Sequence, residues 1–257
     1  MDSLLTDPWF YAAAVPAVVL VGLSKGGLGG AMALIGVPLM ALVVPPVQAA
    51  AILLPILIVM DIVSLWAWRG ARDPVTLKLM LPGAMAGIGI GWALAAMVTS
   101  GAVRLIVGVV AVAFFARWAW QELRSDDSAA VHGGLRASFW GVVTGFASFV
   151  AHAGGPPYQV YALPLRQAPS IYVGTSVIFF AIVNAVKLVP YFALGQFDGT
   201  NLAASAVLMP VAPLATLAGA WIVRRMKPEI FYPFMYAMIL IVGAKLVWDG
   251  IFELWGW

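Results

Sequence analysis

The chain has 257 residues, of which 63% are hydrophobic and only 10% charged, with a formal net charge of +3. A soluble domain is about half apolar and about a quarter charged, so a water-soluble globule is excluded and a bilayer is the fitting solvent. The absence of cysteine excludes disulfides and thiolate metal sites, and two histidines are too few for a multi-imidazole metal or haem centre. No cofactor is expected. The basic residues fall in short loops, which fits membrane orientation rather than nucleic acid.

The start, Met1-Asp2-Ser3-Leu4-Leu5-Thr6-Asp7, is acidic and predicts no cleaved signal. Apolar runs then predict ten segments, near 9–24, 27–44, 47–68, 75–97, 102–123, 136–152, 156–166, 170–194, 201–223 and 231–250. About 20 residues span a bilayer as a helix, and segments three, four, five, eight, nine and ten reach that length. Segments one, two, six and seven are shorter and interrupted by Gly and Pro. They are expected to be broken or re-entrant, which is stable at membrane depth only where protein or a cavity surrounds the backbone. The fold class is therefore all-α and integral to the membrane.

The hydrophilic stretch Arg124 to Gly134 lies near the middle and divides the chain into a first repeat (1–123), a polar linker (124–135) and a second repeat (136–257). Gly22-Leu23-Ser24-Lys25-Gly26-Gly27-Leu28-Gly29-Gly30, followed by Pro38, resembles Gly145-Phe146-Ala147-Ser148-Phe149-Val150-Ala151-His152-Ala153-Gly154-Gly155, followed by Pro164. The offset is about 125 residues, and the order of elements persists across five segments, as in transporters with internal repeats.

Loop charges set the orientation. Arg69, Arg72 and Lys78 lie between segments three and four. Arg117, Arg124 and Arg136 flank the linker, Arg166 follows segment seven, and Arg224, Arg225 and Lys227 follow segment nine. With ten crossings these all fall on the cytoplasmic side, with both termini outside. Equivalent loops carry opposite bias, which predicts two five-segment repeats of inverted topology. Eight spans in two parallel sets of four are the rival count. The eleven Trp fit interfacial belts.

Each glycine-rich run lets backbone approach a ligand and is followed by a new helix, whose first N–H groups attract anions. Close helix packing through small residues is the alternative. Ser24, Lys25, Gly29 and Gly30 in the first run, and His152, Gly154, Gly155, Tyr158 and Gln159 in the second, are the candidate substrate-binding residues. Lys25 is either a partner of the substrate or a snorkelling anchor. His152 can donate to an anion or carry a proton near neutral pH.

Asp61 interrupts the apolar run Ile56 to Leu65, and an acid there is a functional candidate. Asn184 and Lys187 lie on the matching helix of the other half. Asp61 and Lys187 are a candidate pair across the repeat axis, either structural or coupling, and an unpaired Asp61 would suit proton coupling. Lys245 and Asp249 read as an i, i+4 ion pair. No nucleophile–base pair, phosphate-binding Lys loop or metal cluster is visible, so an enzyme is not expected.

The duplicated Gly-rich element followed by Pro, the length and the central linker resemble the TauE/SafE sulfite exporter family, also called TSUP, over about residues 9–250. The resemblance rests most on Gly22 to Pro38 and Gly145 to Pro164, and carries over to Gly29, Gly30, Gly154 and Gly155. The second run departs from the family's glycine cluster at His152-Ala153. The resemblance implies a secondary transporter of sulfite, sulfoacetate, other organosulfonates or related anions. Its expected partners are a small anion, the lipid bilayer and, for coupling, protons. An anion channel and a non-catalytic membrane scaffold are the alternatives. Direction of transport and oligomeric state are not legible.

Overall fold

The computed structural model describes residues 6–29, 33, 36, 39–44, 46–94, 97–123, 129–193 and 199–255. Gly30, Pro38 and five more residues of segment two lie outside the described residues. Every regular element among those described is helical: α1 (Pro8–Leu23), α2 (Pro46–Ala67), α3 (Pro74–Ala93), α4 (Ser100–Leu123), α5 (Gly134–Ala151), α6 (Gly155–Ala162), α7 (Pro169–Ala193), α8 (Gly199–Leu208), α9 (Val211–Arg225) and α10 (Pro228–Trp255). A π turn, Ser24–Leu28, prolongs α1, and a 3-10 turn, Leu163–Leu165, follows α6.

Local chemistry explains several helix starts. α1, α2, α3, α7 and α10 each begin on a proline, whose missing N–H costs nothing in the first turn. Asp7 caps α1 through Trp9 N–H, and Asp73 caps α3 through the N–H groups of Val75 and Thr76. Five described stretches are long and apolar enough to cross a bilayer: Pro8–Leu28, Pro74–Ala93, Ser100–Leu123, Pro169–Lys187 and Pro228–Trp255. α8 and α9 pass the same test only as a pair, bent by 47° at Met209–Pro210. The sequence predicts a single segment over 201–223 there; Pro210 supplies no N–H to continue the ladder, which lets the chain turn. These helices define a multi-pass membrane protein.

The chain forms two compact units, and each draws on both halves of the sequence. The first comprises Met1–Gly70 and Leu188–Met226, the second Ala71–Lys187 and Lys227–Trp257. In the first unit α9 packs on α1 and on the π turn. A Cβ added at Gly22 would lie 2.5 Å from Ala215 Cβ, and one at Gly26 would overlap the carbonyl of Thr216. An apolar core that includes Phe10, Val18, Ile52, Ile56, Met60 and Leu208 closes this unit.

In the second unit α3 and α5 are the tightest pair. Gly83 and Gly87 of α3 meet backbone of Ser138 and Val142, while Gly141 and Gly145 of α5 meet the carbonyls of Met80 and Ala84. Such contacts bring two backbones together through small residues, the packing that lipid-embedded helices favour. α4 pairs with α10 in the same manner: Gly243 lies against Ala111 and Gly108 against Val247. The Trp118 and Tyr236 rings stack between them at 4.3 Å. The Lys245–Asp249 pair on α10 is formed, at 2.7 Å.

Candidate functional site

In the first unit the site is a helix break and the face of α2 that covers it. Gly27 has φ 130° and Gly29 φ 86°, values that side chains rarely tolerate, so the Gly-rich run ends α1 here. A break inside a membrane frees carbonyls that need donors. α2 supplies them. Ser64 Oγ donates to the Lys25 carbonyl at 2.9 Å, and Trp68 Nε1 donates to the Gly26 carbonyl at 3.0 Å. Lys25 Nζ donates to Asp61 Oδ1 at 2.6 Å. Residues 61, 64 and 68 share one helical face, so a single stripe of α2 engages the break. Ser24 Oγ closes the turn on the Gly29 carbonyl at 2.6 Å.

The lower end of this arrangement is held by Arg224. Its guanidinium donates to the Ala67 carbonyl and lies 5.2 Å from the Trp68 ring centroid. The break is thus fixed from two helices, α2 and α9, while the Lys25–Asp61 pair stays partly accessible, at 19% and 17% side-chain exposure.

In the second unit α5 ends at His152, which adopts the left-handed conformation with φ 53°. Ala153 N–H returns to the Ala147 carbonyl at 3.1 Å, the capping bond that a left-handed residue permits. Glycine is the usual occupant, and a histidine there carries backbone strain. Its side chain is exposed, while Ala151, Ala153 and Gly154 are buried. Lys187 of α7 is 5% exposed and donates to the Ser148 carbonyl at 3.0 Å and to Ser148 Oγ at 3.1 Å. Gly154 sits against the same serine: a Cβ there would lie 2.7 Å from Ser148 Cβ. The Thr144 hydroxyl, one turn before Ser148, is buried with no hydrogen-bond partner among the described residues.

The start of α6 contributes less than its glycines suggest. Pro156 and Pro157 have no N–H, and Tyr158 N–H is used by the Gly154 carbonyl at 3.3 Å. Few amides therefore remain unused at this helix start. Gly155 has open space where a Cβ would stand. Tyr158 is buried among Tyr172, Phe179 and Phe180, and its hydroxyl has no partner among the described residues. Gln159 is buried and hydrogen-bonded to Tyr172.

The structure therefore brings Ser24, Lys25, Gly29 and Asp61 together in one unit, and Lys187 and Gly154 together around Ser148 in the other. Asp61 and Lys187, expected as partners of each other, each have a partner inside their own unit. Asn184 lies one turn before Lys187 on α7. Ser64, Trp68, Ser148 and Thr144 were missed by sequence reasoning. The 61/64/68 spacing on an apolar helix was the available signal for the first two.

A second polar cluster surrounds Asp73 in the second unit. Its carboxylate accepts from Thr76 Oγ1 and Gln167 Nε2, both at 2.6 Å, and lies 3.4 Å from His132 Nε2. Burial raises the Asp73 pKa, but the hydrogen bonds from Thr76, Gln167 and the Val75 N–H, with the nearby His132 charge, outweigh it and hold the group below its ordinary value. This cluster ties the linker, the α3 start and the loop before α7 together.

The apolar crossing helices among the described residues define a multi-pass membrane protein by class. The chain belongs to the sulfite exporter TauE/SafE family, whose model matches residues 14–246. No curated protein and no solved structure matches the chain.

Proposed function

We propose that this protein is a secondary transporter that carries a small sulfur-containing anion, of the sulfite, sulfoacetate or organosulfonate class, across the cell membrane by alternating access. The observation that carries this reading is the lysine held at a helix break in each unit: Lys25 at Ser24–Leu28, and Lys187 against Ser148. Charged groups inside apolar helices are costly and mark solute pathways. The Lys187 ammonium, held by the carbonyl and hydroxyl oxygens of Ser148, is suited to a sulfonate or sulfite oxygen.

The pairing of helices supports an internal repeat. α9 packs on α1 in the first unit, and α3, its expected counterpart, packs on α5, the expected counterpart of α1, in the second. The inverted sense of that repeat rests on loop charge. Arg69 and Arg72 stand at one end of the three–four loop, and Arg224, Arg225 and Lys227 follow α9, which supports an inner-membrane protein with these loops cytoplasmic and both termini outside. Because the chain has no cysteine, a single cysteine introduced at Arg72 or at Gln121 is the only thiol, and impermeant labelling from either side tests that orientation.

Uptake of radiolabelled sulfite and of a labelled organosulfonate into proteoliposomes tests the function. Saturable flux in the range of a carrier is expected. No flux of either anion defeats the proposal, and conductance at channel rates replaces it with a channel.

A further inference from the structure

We infer that the joined ends of α2 and α9 are a binding site for anionic lipid, with Arg69 and Arg225 taking the headgroup phosphate oxygens. The site lies wholly within the first unit and does not depend on which anion the protein carries. The two helix ends are tied by Arg224, which donates to the carbonyl of Ala67, the last residue of α2, and lies over the Trp68 ring. Arg69 follows Ala67 by two residues and Arg225 adjoins Arg224, so three guanidiniums gather at one corner. Arg224 is spent on the Ala67 carbonyl and the Trp68 ring. Arg69 and Arg225 are exposed.

Each of these two arginines lies over an exposed tryptophan. Arg69 Cζ is 5.2 Å from the Trp66 ring centroid, and Arg225 Cζ is 4.0 Å from that of Trp221. Trp66 and Trp221 are 58% and 57% exposed. Chain spacing produces both contacts: the Arg69 N–H closes a turn on the Trp66 carbonyl at 3.4 Å, and Trp221 and Arg225 stand one turn apart on α9. A guanidinium held over a ring keeps its N–H edge for the paired oxygens of a phosphate, and has less side-chain freedom left to lose on binding. Exposed tryptophan in a membrane protein favours the headgroup level of the bilayer. The rings thus place both arginines in the layer where lipid phosphates lie, which favours lipid over a phosphate in solution.

The charge of this corner is unbalanced within its own unit. The acids of the unit among the described residues are Asp7, which caps the start of α1, and Asp61, bonded to Lys25. No ion pair among the described residues involves Arg69 or Arg225. An anionic headgroup is the complement to such a corner, whereas a zwitterionic one brings its own cation to the same place.

The test uses the full chain in detergent and counts retained lipid by native mass spectrometry, with phosphatidylglycerol set against phosphatidylcholine of the same acyl chains. The wild type is expected to retain the anionic lipid about tenfold better. Arg69→Gln with Arg225→Gln is expected to cut that preference about fivefold or more. Trp66→Leu with Trp221→Leu is expected to weaken it while every charge stays. Lys78→Gln with Arg117→Gln, which removes as much charge from exposed positions of the second unit, is expected to leave it nearly unchanged. Equal retention of the two lipids by the wild type overturns the inference. So does an equal loss in the two charge-removing variants, which would make the preference a property of net charge. Displacement of the lipid by glycerol phosphate at equal concentration would replace it with a soluble-phosphate site, and a change in oligomeric mass on substitution would assign the corner to a contact between copies. If the arginine variant does not fold, the wild-type preference and the tryptophan variant decide, and full preference in the latter overturns the ring-held site.

Discussion

Ser64 and Lys187 make the same contact in different units: each donates to a backbone carbonyl 39 residues earlier in the chain, Ser64 to Lys25 and Lys187 to Ser148. The residue types are exchanged between the two contacts. In one, lysine sits at the break and serine on the covering helix; in the other, serine sits at the break and lysine on the covering helix. Two halves that share this spacing solve the same problem, an unsatisfied carbonyl at a helix break, and each adds one ammonium. The identical spacing supports a repeat at the level of single residues, where the glycine runs alone gave only an approximate offset.

Ser64→Ala removes a donor and leaves the Lys25 carbonyl poorly satisfied, which costs about 1–3 kcal/mol. The expected outcome is a lower thermal midpoint in detergent, with Ser64→Thr close to wild type. An unchanged midpoint in the alanine variant would show that water or another group takes over the bond.

Three glycines separate packing from function. Gly26→Ala and Gly145→Ala drive a methyl group into the Thr216 and Ala84 carbonyls, and overpacking of this kind costs about 1–3 kcal/mol or more. Both are expected to lower the yield of folded protein. Gly155→Ala meets nothing within 4 Å and is expected to fold normally. Equal stability of all three, measured by size-exclusion profile and thermal midpoint, would contradict the backbone contacts described above.

His152 can be dissected because its backbone and its ring act separately. At φ 53°, His152→Gly relieves strain and is expected to raise stability by about 0.5–1 kcal/mol, whereas His152→Ala keeps the strain. A fall in anion flux common to both variants would assign a role to the ring. Flux that follows stability instead would assign the effect to the turn.

Asp73 predicts the acid limb of stability. Its folded pKa lies below the unfolded value of about 3.9, so its stabilisation is fully present above that value and is lost as pH falls through the lower, folded one. Thermal midpoints of the detergent-solubilised protein are expected to decline below about pH 4. Asp73→Asn is expected to be less stable at pH 7 and to show a shallower acid decline. Parallel curves for the two proteins would count against this assignment.

Helix positions were largely legible because prolines and glycines punctuate the apolar runs. Segment three, read as 47–68, corresponds to α2, and segment four, read as 75–97, to α3. The bend at Met209–Pro210 was not anticipated, because mean apolarity across 201–223 carries no trace of a lost backbone donor. The site was legible in its charges and not in its partners. Lys25 and Asp61 stand out in apolar surroundings, but which two meet depends on which face of α2 covers the break. Ser64 showed only in its spacing from Asp61, and Ser148 not at all, since a serine in a membrane helix is unremarkable until a freed carbonyl lies beside it. The Asp73 cluster depends on contacts between segments nearly a hundred residues apart, such as that with Gln167, which periodicity does not report.

The interleaved make-up of the two units has a consequence for biosynthesis. α1 leaves the ribosome early, yet the helix that packs against its glycine face, α9, is made some two hundred residues later. The first unit must wait in the membrane with that face covered by lipid or by the insertion machinery until Met226 has been synthesised. Cutting the gene within the linker would therefore yield two fragments, neither of which encodes a finished unit. Co-production, rather than production of either piece alone, is the way such fragments would accumulate.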